Sequence, residues 1–147
     1  MTLAVSNYLA DKLLNGVFRG QDYTFPTTVY LALYTSNPTA ADTGSEVSGG
    51  GYVRKTVVFN APVTESAEVY HSTTGLLMTV PRRTIKNNAE IAFPVATANW
   101  NTITHVAIRD ALTGGNLLYY GAVNNPKTVS VSDLLKFPIG EVVLTLN

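Results

Sequence analysis

The run Thr27-Thr28-Val29-Tyr30-Leu31-Ala32-Leu33-Tyr34 decides how the rest of the chain reads. Val29, Leu31 and Leu33 alternate with Tyr30, Ala32 and Tyr34, the period of two at which successive side chains of a β-strand point to opposite faces. Both sets are apolar or aromatic, so the spacing predicts a strand buried on one side and partly covered on the other. The same period recurs downstream. Strands are expected at Tyr52 to Phe59, Leu76 to Val80, Ala89 to Phe93, Thr102 to Arg109, Asn116 to Gly121, Lys127 to Val131 and Glu141 to Leu146. Asp110-Ala111-Leu112-Thr113-Gly114-Gly115 reads as a hairpin connection, and Asn124-Asn125-Pro126 and Pro138-Ile139-Gly140 read as turns.

Upstream, the period changes to that of a helix. Leu9, Leu13, Leu14 and Val17 recur at helical spacing, Ser6 can cap the start, and Gly16 and Gly20 weaken the end, which places the helix at about residues 6–18. Leu3, Val5 and Tyr8 extend its apolar character. Such a terminal helix packs over its own sheet more often than it docks on another subunit. Residues 1–147 are therefore expected to form a single domain, mainly β: a β-sandwich, of which a jelly roll is one form, with a short N-terminal α-helix. Internal repeats, heptads and a fibrous glycine period are all missing, which speaks against a long fibre shaft.

Thr35 to Gly51 has no apolar period and carries Asn37-Pro38, Asp42-Thr43-Gly44 and Ser48-Gly49-Gly50-Gly51. A loop this long in a small domain is usually functional or mobile, so Thr35, Asn37, Thr39, Asp42 and Glu46 are candidate partner contacts. Arg82, Arg83 and Lys86 form the one basic cluster and join that set. Their plainest reading is a solvated loop, with contact to an acidic partner next. Trp100 is either a core anchor or an interface hot spot, core being the favoured reading.

Charged residues make up 14% of the chain and the formal net charge is zero, against about 25% charged residues in ordinary soluble domains. A neutral surface rich in Thr, Asn, Ser and Tyr suits a subunit covered by neighbours, and equally a β-protein with a Thr-rich outer face. Zero net charge argues against general nucleic-acid binding, which needs a basic footprint. No apolar run is long enough to span a bilayer, and Met1 to Gly16 does not read as a secretion signal, so a soluble product of the cytoplasm is expected. Without cysteine there is no disulfide or thiolate chemistry.

Positive signals for catalysis are missing. His71 and His105 have no cysteine or acidic cluster at metal-ligand spacing, and no Gly-x-Ser-x-Gly elbow occurs. Gly49-Gly50-Gly51 leads into a strand rather than a helix, so it lacks the oriented amides of a phosphate loop and reads as flexible. Glu65 and Glu68 look solvated, and the Asp42 to Glu46 segment offers too few oxygen ligands for calcium. Neither an enzyme nor a cofactor nor a metal is expected.

Val29-Tyr30-Leu31-Ala32-Leu33-Tyr34-Thr35-Ser36-Asn37-Pro38-Thr39 and Gly44-Ser45-Glu46-Val47-Ser48-Gly49-Gly50-Gly51-Tyr52-Val53-Arg54 resemble a family of small phage structural proteins, often labelled tail-fibre proteins. Glu90-Ile91-Ala92-Phe93-Pro94, Trp100 through Ile103-Thr104-His105-Val106, and Gly114-Gly115-Asn116-Leu117-Leu118-Tyr119-Tyr120-Gly121 are similar to its second half. The resemblance implies a virion protein that binds other virion proteins, with homo-oligomerisation expected. Glu65 to Lys86 is longer than the family blocks lead one to expect. Size, low charge, the long loop and the lack of shaft repeats favour a capsid decoration or cement protein that binds the major capsid protein and stabilises the shell by mass action. The alternative is a tail or tail-fibre component, acting as an adaptor or a receptor-contacting tip.

Overall fold

The computed structural model describes residues 1–146. In chain order the elements are β1 (Thr2–Val5), α1 (Asn7–Arg19), β2 (Val29–Tyr34), β3 (Lys55–Val57), β4 (Val63–Tyr70), β5 (Leu77–Lys86), β6 (Ile91–Ala92), β7 (Asn101–Arg109), β8 (Leu117–Val129), β9 (Lys136–Phe137) and β10 (Val143–Leu146). Eight strands hydrogen-bond in the order β3-β2-β7-β8-β1-β10-β5-β4, and β6 pairs with β9 separately. The chain is mainly β with one short helix near its N-terminus, as the periodicities predict.

Two strand corners bend this order into a sandwich. The first residues of β1 pair with β10 (Thr2↔Val143, Leu3↔Leu144), and the next two pair with β8 (Ala4↔Tyr120, Val5↔Tyr119). A strand that changes partner in mid-course carries the chain from one layer to the other. The second corner is the run from β3 into β4. β3 pairs with β2 from Val29↔Val57 to Leu31↔Lys55, Phe59 bridges to Asn87, and β4 then pairs with β5.

Leu31, Leu33, Val106, Ile108 and Tyr119 from one layer meet Leu3, Leu144 and half-buried Ile85 from the other. The opposite face of β2 and β7 buries Ala32, Tyr34 and Ala107 beside Leu117. Along one flank the Tyr52 ring stacks on Phe93 and meets Trp100 edge-on. Trp100 is 2% exposed and donates from Nε1 to the Gly50 carbonyl at 2.8 Å. A Cβ on Gly50, at φ +60°, would stand 2.8 Å from that indole nitrogen. The glycine run expected to supply flexibility instead allows backbone to close on the tryptophan.

Ser6 fastens the helix. Its Oγ accepts from Leu9 N at 3.1 Å, capping α1, and donates to the Leu117 carbonyl of β8 at 2.6 Å. Tyr8 and Leu9 pack on the core. Leu14, Val17 and Phe18 stay exposed, so only the first turns of α1 fulfil the self-packing expectation.

Asn87, 1% exposed, sits where β5 ends. Its Oδ1 accepts from Val142 N at 2.9 Å, and its Nδ2 donates to the Ala89 and Pro138 carbonyls at 2.8 and 3.0 Å. Its backbone N–H donates to Val142 O, and its carbonyl accepts from Gly140 N. One amide thus satisfies three backbone groups that the strand ladder does not reach.

The loop from Thr35 to Gly51 is clamped rather than mobile. Two arginines, each 7% exposed, reach it from the strand side. Arg54 holds the Glu46 carboxylate through two bonds of 2.7 Å and donates to the Ala111 and Gly114 carbonyls. Arg109 holds Asp42 through two bonds of 2.9 Å and also bonds Tyr34 Oη and the Gly115 carbonyl. Each guanidinium therefore ties this loop to the β7–β8 connection in fork geometry. Pro38 and Val47 are buried, so the loop adds to the core although it carries no apolar period.

Several boundaries differ from the sequence reading. Thr2–Val5 is a strand, not a helical extension, and Tyr52 to Phe59 contracts to Lys55–Val57. Val63–Tyr70 is a strand that the period did not reveal, and Leu76 to Val80 is part of a strand running to Lys86. Arg82, Arg83 and Lys86 accordingly lie on β5, not in a loop. Asn116 to Gly121 and Lys127 to Val131 belong to one strand, β8. Within it Val123 to Pro126 are accommodated opposite Thr104 alone, where the register shifts between Ile103↔Lys127 and His105↔Ala122.

Asn87→Ala leaves three backbone groups without their partner and is expected to cost about 3 kcal/mol or more. Arg54→Ala strands Glu46 and two carbonyls, with an expected loss of about 2 kcal/mol. Urea unfolding measures both, and a loss below about 1 kcal/mol for Asn87→Ala would remove that residue from its organising role.

Candidate functional site

β4 and β5 run in register from Val63↔Thr84 to Tyr70↔Leu77. β10 accompanies β5 only from Val143↔Lys86 to Leu146↔Arg83. Beyond Arg83 the two strands have only each other among the described residues. Six residues of each strand therefore project as a ribbon about 20 Å long at ~3.3 Å per residue. This ribbon is the arm.

Register separates its faces. Glu65, Ala67 and Val69 stand opposite Arg82, Val80 and Met78, giving an apolar face with a charged pair at its base. Ser66, Glu68 and Tyr70 stand opposite Pro81, Thr79 and Leu77 on the more polar face. The tip is a built turn: His71 Nδ1 accepts from the backbone N–H groups of Thr73 and Thr74 at 3.2 and 3.3 Å. The His71 carbonyl accepts from Gly75, which adopts φ +68°. Tyr70 is 76% exposed and Leu76 67%, with Leu77 and Met78 beside them. A lone two-stranded hairpin is marginal in water, and this one carries its largest apolar groups at the end farthest from any core.

The basic cluster braces the arm. Lys86 Nζ lies 2.6 Å from Glu65 Oε1, and its hydrogen bond lowers the Glu65 pKa below the usual carboxylate range. Arg83 donates to Thr64 Oγ1 at 2.7 Å and to the Pro62 carbonyl, while Arg82 faces Glu65 across the ribbon.

The loop residues lie elsewhere. Thr35 and Ser45 hold the loop neck through a backbone bond, Asn37 Oδ1 accepts from Thr39 N, and the Thr39 and Thr43 hydroxyls meet at 2.8 Å. Asp42 and Glu46 use their carboxylates on Arg109 and Arg54. The structure thus separates the sequence-derived set into the arm base, the clamped loop and the buried Trp100. Tyr70, Leu76, Leu77 and Met78, exposed together at the end of the arm, were not in that set. Their signal was the turn chemistry of His71-Ser72-Thr73-Thr74-Gly75 ahead of an apolar run.

Tyr52 and His105 have structural partners. Tyr52 Oη donates to Glu46 Oε1 at 2.8 Å and accepts from Leu33 N at 3.0 Å, and burial pushes its pKa far up. His105 lies beside the Thr104 hydroxyl at 2.8 Å, and burial lowers its pKa, favouring the neutral ring. Among the described residues no three His, Asp or Glu side chains converge as metal ligands. What the arm can do chemically is bury apolar surface and extend a sheet through its open backbone edges.

The family model described as Podophage GP4 fiber I protein gp80 matches residues 4–145. No curated protein matches the chain. The family match extends over almost the whole sequence and includes the corner between β3 and β4, the clamped loop and the flank built on Trp100. The chain belongs to the family of the podophage GP4 fiber I protein gp80, a family of phage fibre proteins.

Proposed function

We propose that this chain is a non-catalytic structural subunit of a tailed-phage fibre, held in the virion by docking its β4–β5 arm on another virion protein. The observation that carries this reading is the arm itself, a ribbon that leaves the body and exposes Tyr70, Leu76, Leu77 and Met78 at its end. A receiving groove would bury those side chains and supply the neighbours the ribbon lacks. An extended edge such as β4 could also add to a partner's sheet. Family membership supports the fibre over the shell. Shell decoration, favoured by size and low charge, uses the same docking physics and differs in which particle protein receives the arm.

Joining Thr64 to Arg83 through Asn-Gly removes the arm while keeping the register at its base. The shortened chain is expected to fold and melt within a few degrees of the full chain, yet to lose binding to particles that lack this protein. Tyr70→Ser is expected to weaken binding by about 30-fold, the ~2 kcal/mol of a buried aromatic anchor. Retained particle binding by the folded, armless chain would contradict docking through the arm. Antibody labelling of complete particles is expected at the tail, and labelling over the head would favour decoration.

A further inference from the structure

The open strand edges of the sheet are not alike. Among the described residues β3, at one end of the strand order, has three residues, and the passage of β1 from β10 to β8 frees only Thr145 and Leu146 of β10. The arm has the two long edges: β4, the last strand of the order, and β5 beyond Arg83. Hydrogen bonds at the arm base fix which groups point to each. Lys86 donates its N–H to Oδ1 of Asn60, which leads into β4, and its carbonyl accepts from Asn60 N. Asn87 N donates to Val142 O, on the side of β10. Backbone directions alternate along a strand, and the β4–β5 register runs without a shift. Leu77, Thr79 and Pro81 therefore turn their backbone groups onto the free edge of β5, and their partners Tyr70, Glu68 and Ser66 turn theirs onto the free edge of β4.

The β5 edge is blocked. Pro81 has no N–H to offer there, and its ring stands where an added strand would approach. The β4 edge is complete: Val63–Tyr70 holds no proline or glycine, and Thr64 joins Ser66, Glu68 and Tyr70 in presenting N–H and C=O. We propose that the arm docks by taking on a strand at β4, and that this strand is an extended segment of another virion protein with a lysine or arginine beside Glu68. The inference rests on the reading of the arm as the docking element. An extended backbone is what satisfies a row of alternating donors and acceptors. Glu68 is exposed and is the one Asp, Glu, Lys or Arg between Ser66 and Pro81, so it sets the charge of the edge. An opposite charge across a strand pair is favourable. The β4 of a second copy fits less well, because Val63–Tyr70 contains no cation to place there.

Affinity of purified variants for particles that lack this protein tests the edge. Ser66→Pro puts a proline opposite Pro81, at a pair where the ribbon already carries one, and is expected to fold yet bind at least tenfold more weakly. Thr79→Pro makes the same change on the free edge of β5 and should bind within about twofold of the parent chain. Glu68→Lys, which leaves the backbone groups in place, should weaken binding tenfold or more. Binding by the armless chain would sink the docking reading itself. If the armless chain fails to bind while folded Ser66→Pro binds as the parent does, or Thr79→Pro loses as much as Ser66→Pro, strand addition at β4 is overturned and the arm is not. Undiminished binding by Glu68→Lys would overturn the basic partner strand. A dimer of the chain that Ser66→Pro dissolves would overturn it too, since the occupant would then be a second copy.

Discussion

The buried amide of Asn87 is the constraint on which the rest of the structure depends. A flattened sandwich must turn its strands from one layer to the other, and at a turn the regular ladder leaves backbone groups without partners. Near the end of β5 those groups are Val142 N and the carbonyls of Ala89 and Pro138, and one side chain with an acceptor and two donors meets all three. An aspartate would lack the donors and a leucine would offer nothing. With this junction secured, Phe59 can bridge to Asn87 and the run from β3 into β4 can change layers. The arm is the continuation of the same two strands past the point where the body needs them.

The clamped loop obeys the same rule on a larger scale. Two nearly buried guanidiniums inside a mostly neutral protein would be costly if unpaired. Each is matched by a carboxylate from the loop and by carbonyls of the β7–β8 connection, so two irregular segments become one rigid edge. Low overall charge and strong local ion pairs are therefore compatible: two of the ten acids, Asp42 and Glu46, are engaged on these arginines.

Much of this was legible in the sequence because burial writes a period. β2 and β7 carry apolar side chains on both faces, and α1 follows its spacing from a Ser6 cap that the structure retains. The arm was not legible as a pair of strands because no core sits beneath β4. Its inward and outward positions mix Glu, Ser and Ala, leaving no hydrophobic alternation, and the basic residues of β5 looked like a solvated loop. Asn87 was hidden for a different reason. An Asn-Asn pair next to charged residues resembles a turn, and only the three-dimensional convergence of its partners shows that it is buried. The loop misled because one of its two clamps lies far away in sequence, with Arg109 well beyond Asp42. No local pattern marks such a pair.

The molecule therefore divides into a closed body that satisfies its own backbone and an arm that does not. Hydrogen exchange on the isolated chain tests that division most directly, because it reads local opening along the backbone. Amides of β7 and the body part of β8 should exchange only with global unfolding, while those from Ser66 to Val80 should exchange far faster and become protected when the chain is bound to the particle. Arm amides as protected as those of β7 in the isolated chain would contradict the account, for the ribbon would then be a self-sufficient part of the body with no need of a partner.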